Sequence, residues 1–226
     1  MTILASKIVN DVEDILSDSA NSQWTAVRLL KWLNVTQRYI ASLKPDVCVT
    51  TSSTILVAGV IQSVPTGGTG LIRLNWNLGT GGATVGAPIT FIEKDVLDRT
   101  TPGWNVETAN ATVIHYMWDE RDPTKFMVYP QQPTVAPGYV SITYSYVPAD
   151  IAAIGNAITL DDIYEPHLIA GTCYYAFSED AAHSVYAQER AQHYRDELFR
   201  LLGMKDPIEK ENSPRPIRMS TDLTEG

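Results

Sequence analysis

Cysteine, histidine, basic residues and long apolar runs are all scarce in this chain, and each shortage removes a class of function. Cys48 and Cys173 are the only cysteines among 226 residues. Cys48 falls at a predicted strand start and Cys173 inside an apolar helix. Both are expected as buried reduced thiols, because nothing else points to an oxidising compartment. The four histidines, His115, His167, His183 and His193, form no H-x-x-x-H pair and lie at no zinc-ligand spacing from a cysteine or carboxylate. On one shared helix His183 and His193 would stand roughly 15 Å apart along the axis, too far to hold one metal. No metal and no cofactor is therefore expected. No apolar run approaches the roughly 20 residues needed to cross a bilayer, so no membrane partner is expected. Met1–Lys7 lacks the basic start, long apolar stretch and cleavage site of a signal peptide. Lys and Arg number 17 against 26 Asp and Glu, giving a net charge of −9. That balance opposes gripping nucleic acid, which needs cations to replace phosphate counterions.

What is present is ample apolar content in an ordered layout. Hydrophobic residues make up 44% and charged residues 19% of the chain, enough for a buried core without metal or disulfide support. The length suits one sizeable domain or two small ones. Near the N-terminus, Ile8, Val12, Ile15 and Leu16 form one helical face, broken by the polar stretch Ser17–Ser22. A second helix follows, with Thr25 as N-cap and Trp24 and Leu29 placed as a hydrophobic staple. It ends at Lys44-Pro45, and the two helices are expected to pair as an antiparallel hairpin.

From Val47 to Val147 the pattern is that of strands. Thr54–Val57 and Val60–Ser63 flank Ala58-Gly59, a hairpin-like signal. Leu71–Asn75, Pro88–Ile92, Val113–Asp119 and Lys125–Tyr129 continue the series, with Glu93–Arg99 as a short helical or turn segment. In the last strand, Val140, Ile142, Tyr144 and Tyr146 alternate with Ser141, Thr143 and Ser145, which predicts one buried apolar face. Helix returns after Pro148–Ala157. Glu165 is placed as a cap with Pro166 in the first turn, and that helix is expected to end near Phe177. A further helix carries Ala187, Ala191, Tyr194, Leu198 and Leu202 in one stripe and stops at Gly203.

The expected fold is α+β: an α-helical bundle built from both chain ends, residues 1–46 and 149–203, with an inserted antiparallel β-sandwich or barrel over 47–148. Residues 204–226 are polar and proline-rich and read as an extended tail that orders only on a partner.

No constellation for catalysis stands out. Asp161-Asp162 precedes a helix, where capping is the simpler role. Asp119–Asp122 reads as a solvated turn. Thr66–Gly70 and Gly79–Gly86 look like loop tips, since neither has the Lys-Ser/Thr and strand-loop-helix setting of a phosphate cradle. Trp76, Trp104, Trp118, Tyr116, Tyr129, Tyr139, Tyr144 and Tyr146 fall in or beside the β region. They suit core packing and cross-strand pairs, with a carbohydrate-binding or tail-fibre-like module as the alternative.

One ordered set of segments goes further. It comprises Trp24-Thr25, Leu29–Asn34, Gln37-Arg38 and Lys44–Asp46, then Ala58–Pro65, Leu97-Asp98 and Pro102–Trp104. It continues with His115-Tyr116, Asp119, Asp122-Pro123, Phe126, Val128–Pro130, Thr159–Tyr164, Tyr175–Asp180, Arg190-Ala191 and Leu202-Gly203. Over roughly residues 8–203 this order resembles the tailed-bacteriophage adaptor family, the head-to-tail connector proteins beneath the portal. Gly171, with Thr172 and Cys173, departs from the bulkier apolar residues expected in its helix.

The resemblance implies a virion structural protein at the neck and no enzyme. It implies a homo-oligomer, a dodecameric ring, docked to the portal protein on one side and to tail or nozzle proteins on the other. Genomic DNA would pass through its channel without sequence-specific binding. A dozen copies would carry on the order of −100 charge and repel passing DNA. Lys205, Lys210, Arg215 and Arg218 give the tail a basic character and are the candidate portal-docking residues.

Overall fold

The computed structural model describes residues 3–18, 23–119, 121–181 and 184–203. Among these the helices are α1 (Ala5–Leu16), α2 (Ala26–Leu43), α3 (Lys94–Thr100), α4 (Glu165–Asp180) and α5 (Val185–Leu201). The strands are β1 (Val49–Ile55), β2 (Gly59–Ser63), β3 (Gly68–Leu78), β4 (Val85–Pro88), β5 (Thr90–Phe91), β6 (His115–Trp118), β7 (Lys125–Gln132) and β8 (Tyr139–Tyr146). The fold is α+β. The chain divides into two compact units: Met1–Thr36 with Ala152–Ala157 and Asp162–Gly226, and Gln37–Ile151 with Ile158–Asp161.

In the first unit α4 is the central helix. Leu168, Ala170, Gly171, Thr172, Cys173 and Ala176 are all buried, a spread around the axis that marks a helix covered on several sides. Both α1 and α5 lie against it. The expected pairing of α1 with α2 is thus replaced by α1 on α4, because α4 offers apolar surface all round while α2 must share its buried face. Gly171 explains itself here: a Cβ at this position would fall 2.3 Å from Thr36 Cγ2, so the missing side chain is what admits Thr36 of α2.

Helix ends follow local chemistry. The Thr25 hydroxyl accepts from the Arg28 N–H at 3.4 Å, and Trp24 and Leu29 are both buried, as the N-terminal signals of α2 predict. Asp18 accepts from the Gln23 and Trp24 N–H groups at 2.8 and 2.6 Å. Ile15 is 39% exposed, against expectation. The buried stripe of α1 is Ala5, Ile8, Val9 and Val12, and it runs out where Ser17 turns left-handed at φ 56°. Glu165 is the first residue of α4 rather than its cap, because a 3-10 turn over Asp162–Tyr164 feeds directly into the helix. The helix also continues past Phe177 to Asp180, with the Ser178 hydroxyl bonded back to the Tyr174 carbonyl at 2.6 Å. At α5, the Ser184 side chain accepts from the Ala187 N–H, and Gly203 takes φ 65° just beyond the end, the conformation that favours glycine at a helix terminus.

The second unit holds two four-stranded sheets, ordered β1-β8-β3-β4 and β2-β7-β6-β5. Neither closes into a barrel. Leu56, Leu71, Leu74, Ile89, Val113, Tyr116, Phe126, Val128, Val140 and Ile142 form one apolar core drawn from both sheets. A second cluster, Leu97, Trp104 and Met117, places α3 and the turn after it against the other sheet.

Three expectations change in this unit. Thr54–Ser63 is not a hairpin: β1 pairs with β8 and β2 with β7, in different sheets. The Gln62 side chain latches the crossing, accepting from the Val57 N–H at 2.8 Å and donating to the Val57 and Gly59 carbonyls at 2.7 and 3.1 Å. The pairing is not wholly antiparallel either, since β5 and β6 run parallel. The long connection through α3 supplies the crossover that a parallel pair requires. Finally, Gly68–Gly70 begins β3 instead of forming a loop tip. A Cβ on Gly68 would meet Pro65, Val64 and Tyr144 at 2.9 Å.

The alternation in β8 is present, yet residues on both of its faces are buried, with β1 and β3 flanking it in the sheet. Ser141, Thr143 and Ser145 are buried. They join a hydroxyl ladder, with Thr51–Thr143 at 2.8 Å, Thr69–Ser145 at 2.9 Å, and Asn75 donating to Ser141 and Thr143 at 3.1 and 3.0 Å.

Candidate functional site

The candidate docking residues Lys205, Lys210, Arg215 and Arg218 lie outside the described residues, as does His183. The remaining chemistry-bearing groups are tied into the fold. Cys48 and Cys173 are free buried thiols. Burial pushes Cys173 up to about 12 and raises Cys48 as well, so both stay protonated and unreactive at neutral pH. His115 Nδ1 lies 2.6 Å from the Thr90 hydroxyl, and its ring stacks on Tyr129. Asp162 accepts from the Ile3 N–H at 3.2 Å. Asp119 and Asp122 close a turn, accepting from the Arg121 N–H at 2.9 Å and the Thr124 hydroxyl at 3.0 Å. No group of three or more His, Cys, Asp or Glu side chains gathers into a metal-binding cluster among the described residues.

Charged side chains fasten the helices of the first unit. Lys7 pairs with Glu165. Arg28 pairs with Glu179, which also accepts from the Trp32 indole N–H at 3.1 Å. The hydrogen bond from Arg28 holds the Glu179 carboxyl below its ordinary range and raises Arg28 in turn. Trp32 stacks on Tyr175 with ring centres 5.4 Å apart.

The aromatics of the β unit serve several roles. Tyr116 and Trp104 are buried, and the Trp104 indole donates to Asp98 at 2.7 Å. With Lys94, that bond holds the Asp98 carboxyl below its usual range. Trp118 and Tyr144 pack against the main core. Trp76 is exposed.

What the surface offers is a set of shallow concavities along the β2-β7-β6-β5 sheet. Ile61, Trp118, Met127 and Phe91 line them, with Asp119, Asp122 and Lys125 at the rim. Ile61 is 63% and Phe91 54% exposed. Apolar side chains set in a charged rim suit contact with protein surface rather than a polar small molecule. A family model described as SU10 adaptor protein matches residues 3–220.

The chain belongs to the SU10 adaptor protein family. A search of curated proteins gives no match. SU10 adaptors are phage head-to-tail adaptors, structural components of the virion that assemble with head and tail parts and are not enzymes. The useful features are surfaces. The apolar lining around Ile61 and Met127 was missed from sequence: Val60 and Ile61 both line one concavity with Met127, beside the break in the β2–β7 register at Gly59, which strict alternation does not anticipate.

Proposed function

We propose that this adaptor forms a dodecameric ring below the portal, joins capsid to tail or nozzle proteins, and lines the channel through which genomic DNA leaves. The family match over nearly the whole chain carries this reading. Two units with separate cores supply two kinds of contact surface, which we read as a helical bundle built from both chain ends and an inserted β-sandwich over residues 47–148. The net charge of −9 suits a wall past which DNA slides instead of binding. In the same reading, the tail from residue 204 docks on the portal, with Lys205, Lys210, Arg215 and Arg218 as its basic contacts.

Reconstruction of neck-containing particles tests this. Twelve copies around the axis between portal and tail are expected. A different location, or no ring, rejects the assignment. Removing residues 204–226 is expected to leave a folded protein that no longer joins portal particles, and unchanged attachment removes the tail from the docking scheme.

A further inference from the structure

Strand β1 is the outermost strand of its sheet, and its pairing with β8 fixes which backbone groups are spent. Tyr146 N–H donates to the Cys48 carbonyl, and Leu56 N–H to the Gly138 carbonyl, both at 2.9 Å. In the unbroken register between these points, Thr50, Ser52 and Thr54 exchange bonds with β8. The N–H and C=O groups of Val49, Thr51, Ser53 and Ile55 therefore point the other way. Among the described residues they have no backbone partner.

Sheet edges are normally blunted by charge, proline, a bulge or shortness. Three of the four edges here carry such a device. β4 is four residues long and ends at Pro88, the β2–β7 register breaks between Gly59 and Ile61, and β5 has two residues. β1 has seven residues, an unbroken register, no proline and no charge. Its surroundings in sequence are equally bare, since no charged residue occurs between Asp46 and Arg73. Such an edge is a template for strand addition.

The sequence beyond Gly203 contains a segment whose pattern fits. After Pro216, the sequence Ile217–Thr224 places Ile217, Met219, Thr221 and Leu223, three of them apolar, in alternation with Arg218, Ser220, Asp222 and Thr224. That is the period of a strand with one apolar and one polar face. The sheet has matching sides: Val140 and Ile142 face the core, while Thr51, Thr143 and Ser145 form the hydroxyl ladder outside. These eight residues are enough to span the seven of β1.

We propose that β1 accepts residues 217–224 of a neighbouring copy as a fifth strand. A segment passed from each copy to the next is a heterologous contact, the kind that closes a ring. The inference rests on the ring reading above and adds the surface through which neighbours join. It leaves Lys205, Lys210 and Arg215 to meet the portal ahead of the added strand, with Arg218 on that strand's outer, polar face.

The test uses full-length chains mixed and assembled on portal particles. Copies carrying Thr51→Cys or Ser53→Cys, on the outer face, are combined with copies carrying Ser220→Cys and oxidised. A disulfide between copies is expected with at least one of the two, and none with Thr54→Cys, whose side chain takes the opposite face. No link from either outer position, or an equal link from Thr54→Cys, overturns the proposal. Amide exchange gives a second reading. Thr51 and Ser53 are expected to exchange roughly tenfold faster when Met219→Pro blocks strand pairing, with Thr50 and Ser52 unchanged. Equal rates with and without the proline also overturn it. Imaging the same particles separates the two failures, because a twelvefold ring without the link leaves the adaptor reading intact.

Discussion

Gly171 and Thr36 show how much one side chain can govern. A methyl at position 171 would fall 2.3 Å from Thr36 Cγ2 and 3.1 Å from its hydroxyl, and both residues are fully enclosed by the first unit. Alanine normally gains about 0.5–1 kcal/mol over glycine in a helix interior. Overpacking costs about 1–3 kcal/mol, so the contact is expected to win. Gly171→Ala should lower unfolding stability by roughly 1–2 kcal/mol on balance, read from the denaturant midpoint. Thr36→Ser removes the offending methyl. In that background the same change should cost measurably less, a coupling that a double-mutant cycle reads directly. Equal costs in both backgrounds would show that the two residues are not the cause. From sequence alone Gly171 looked like a departure. Its reason lies in a residue far away in the chain, and nothing local announces such a pairing.

At the scale of elements, buried amides do what the apolar pattern cannot. Asn77 on β3 donates to the Ala87 and Val113 carbonyls at 3.1 and 2.7 Å and accepts from the Val113 N–H at 2.7 Å. It joins β3 to β4 and to the segment that leads into β6. Gln132 acts alike, accepting from the Gly138 N–H at 2.9 Å and donating to the Asn110 carbonyl at 3.0 Å. Asn77→Leu strands buried backbone groups, and an unmet buried donor costs about 1–3 kcal/mol by itself. A loss of about 2–4 kcal/mol in urea unfolding is expected, and a change under about 0.5 kcal/mol would show that the latch is dispensable. Elements whose cause is local were legible in the sequence. The Thr25 cap, the Pro45 stop, the alternation in β8 and the glycine after α5 all rest on neighbours within a turn. Partner choice between strands was not legible. The Thr54–Ser63 segment reads as a hairpin until Gln62 closes its own loop and sends β2 to the other sheet. The parallel β5–β6 pair depends on a crossover that no short window contains.

The whole molecule sets two tendencies against each other. Every copy carries a net charge of −9, so copies brought together repel, while the β1 edge offers a contact with no charge of its own. The backbone hydrogen bonds and apolar packing of an added strand depend little on ionic strength. The repulsion depends on it strongly, because the screening length falls from about 30 Å at 0.01 M to about 3 Å at 1 M salt. Association of copies should therefore strengthen as salt rises, the reverse of what interfaces built on ion pairs show. Sedimentation of the full-length chain across that range, at fixed protein concentration, measures the direction. A shift towards larger species with added salt fits a seam held by backbone bonds and apolar packing that works against acidic repulsion. Dissociation with added salt would assign the contact to charged side chains instead, and would move attention from β1 to the charged rim beside Ile61 and Met127.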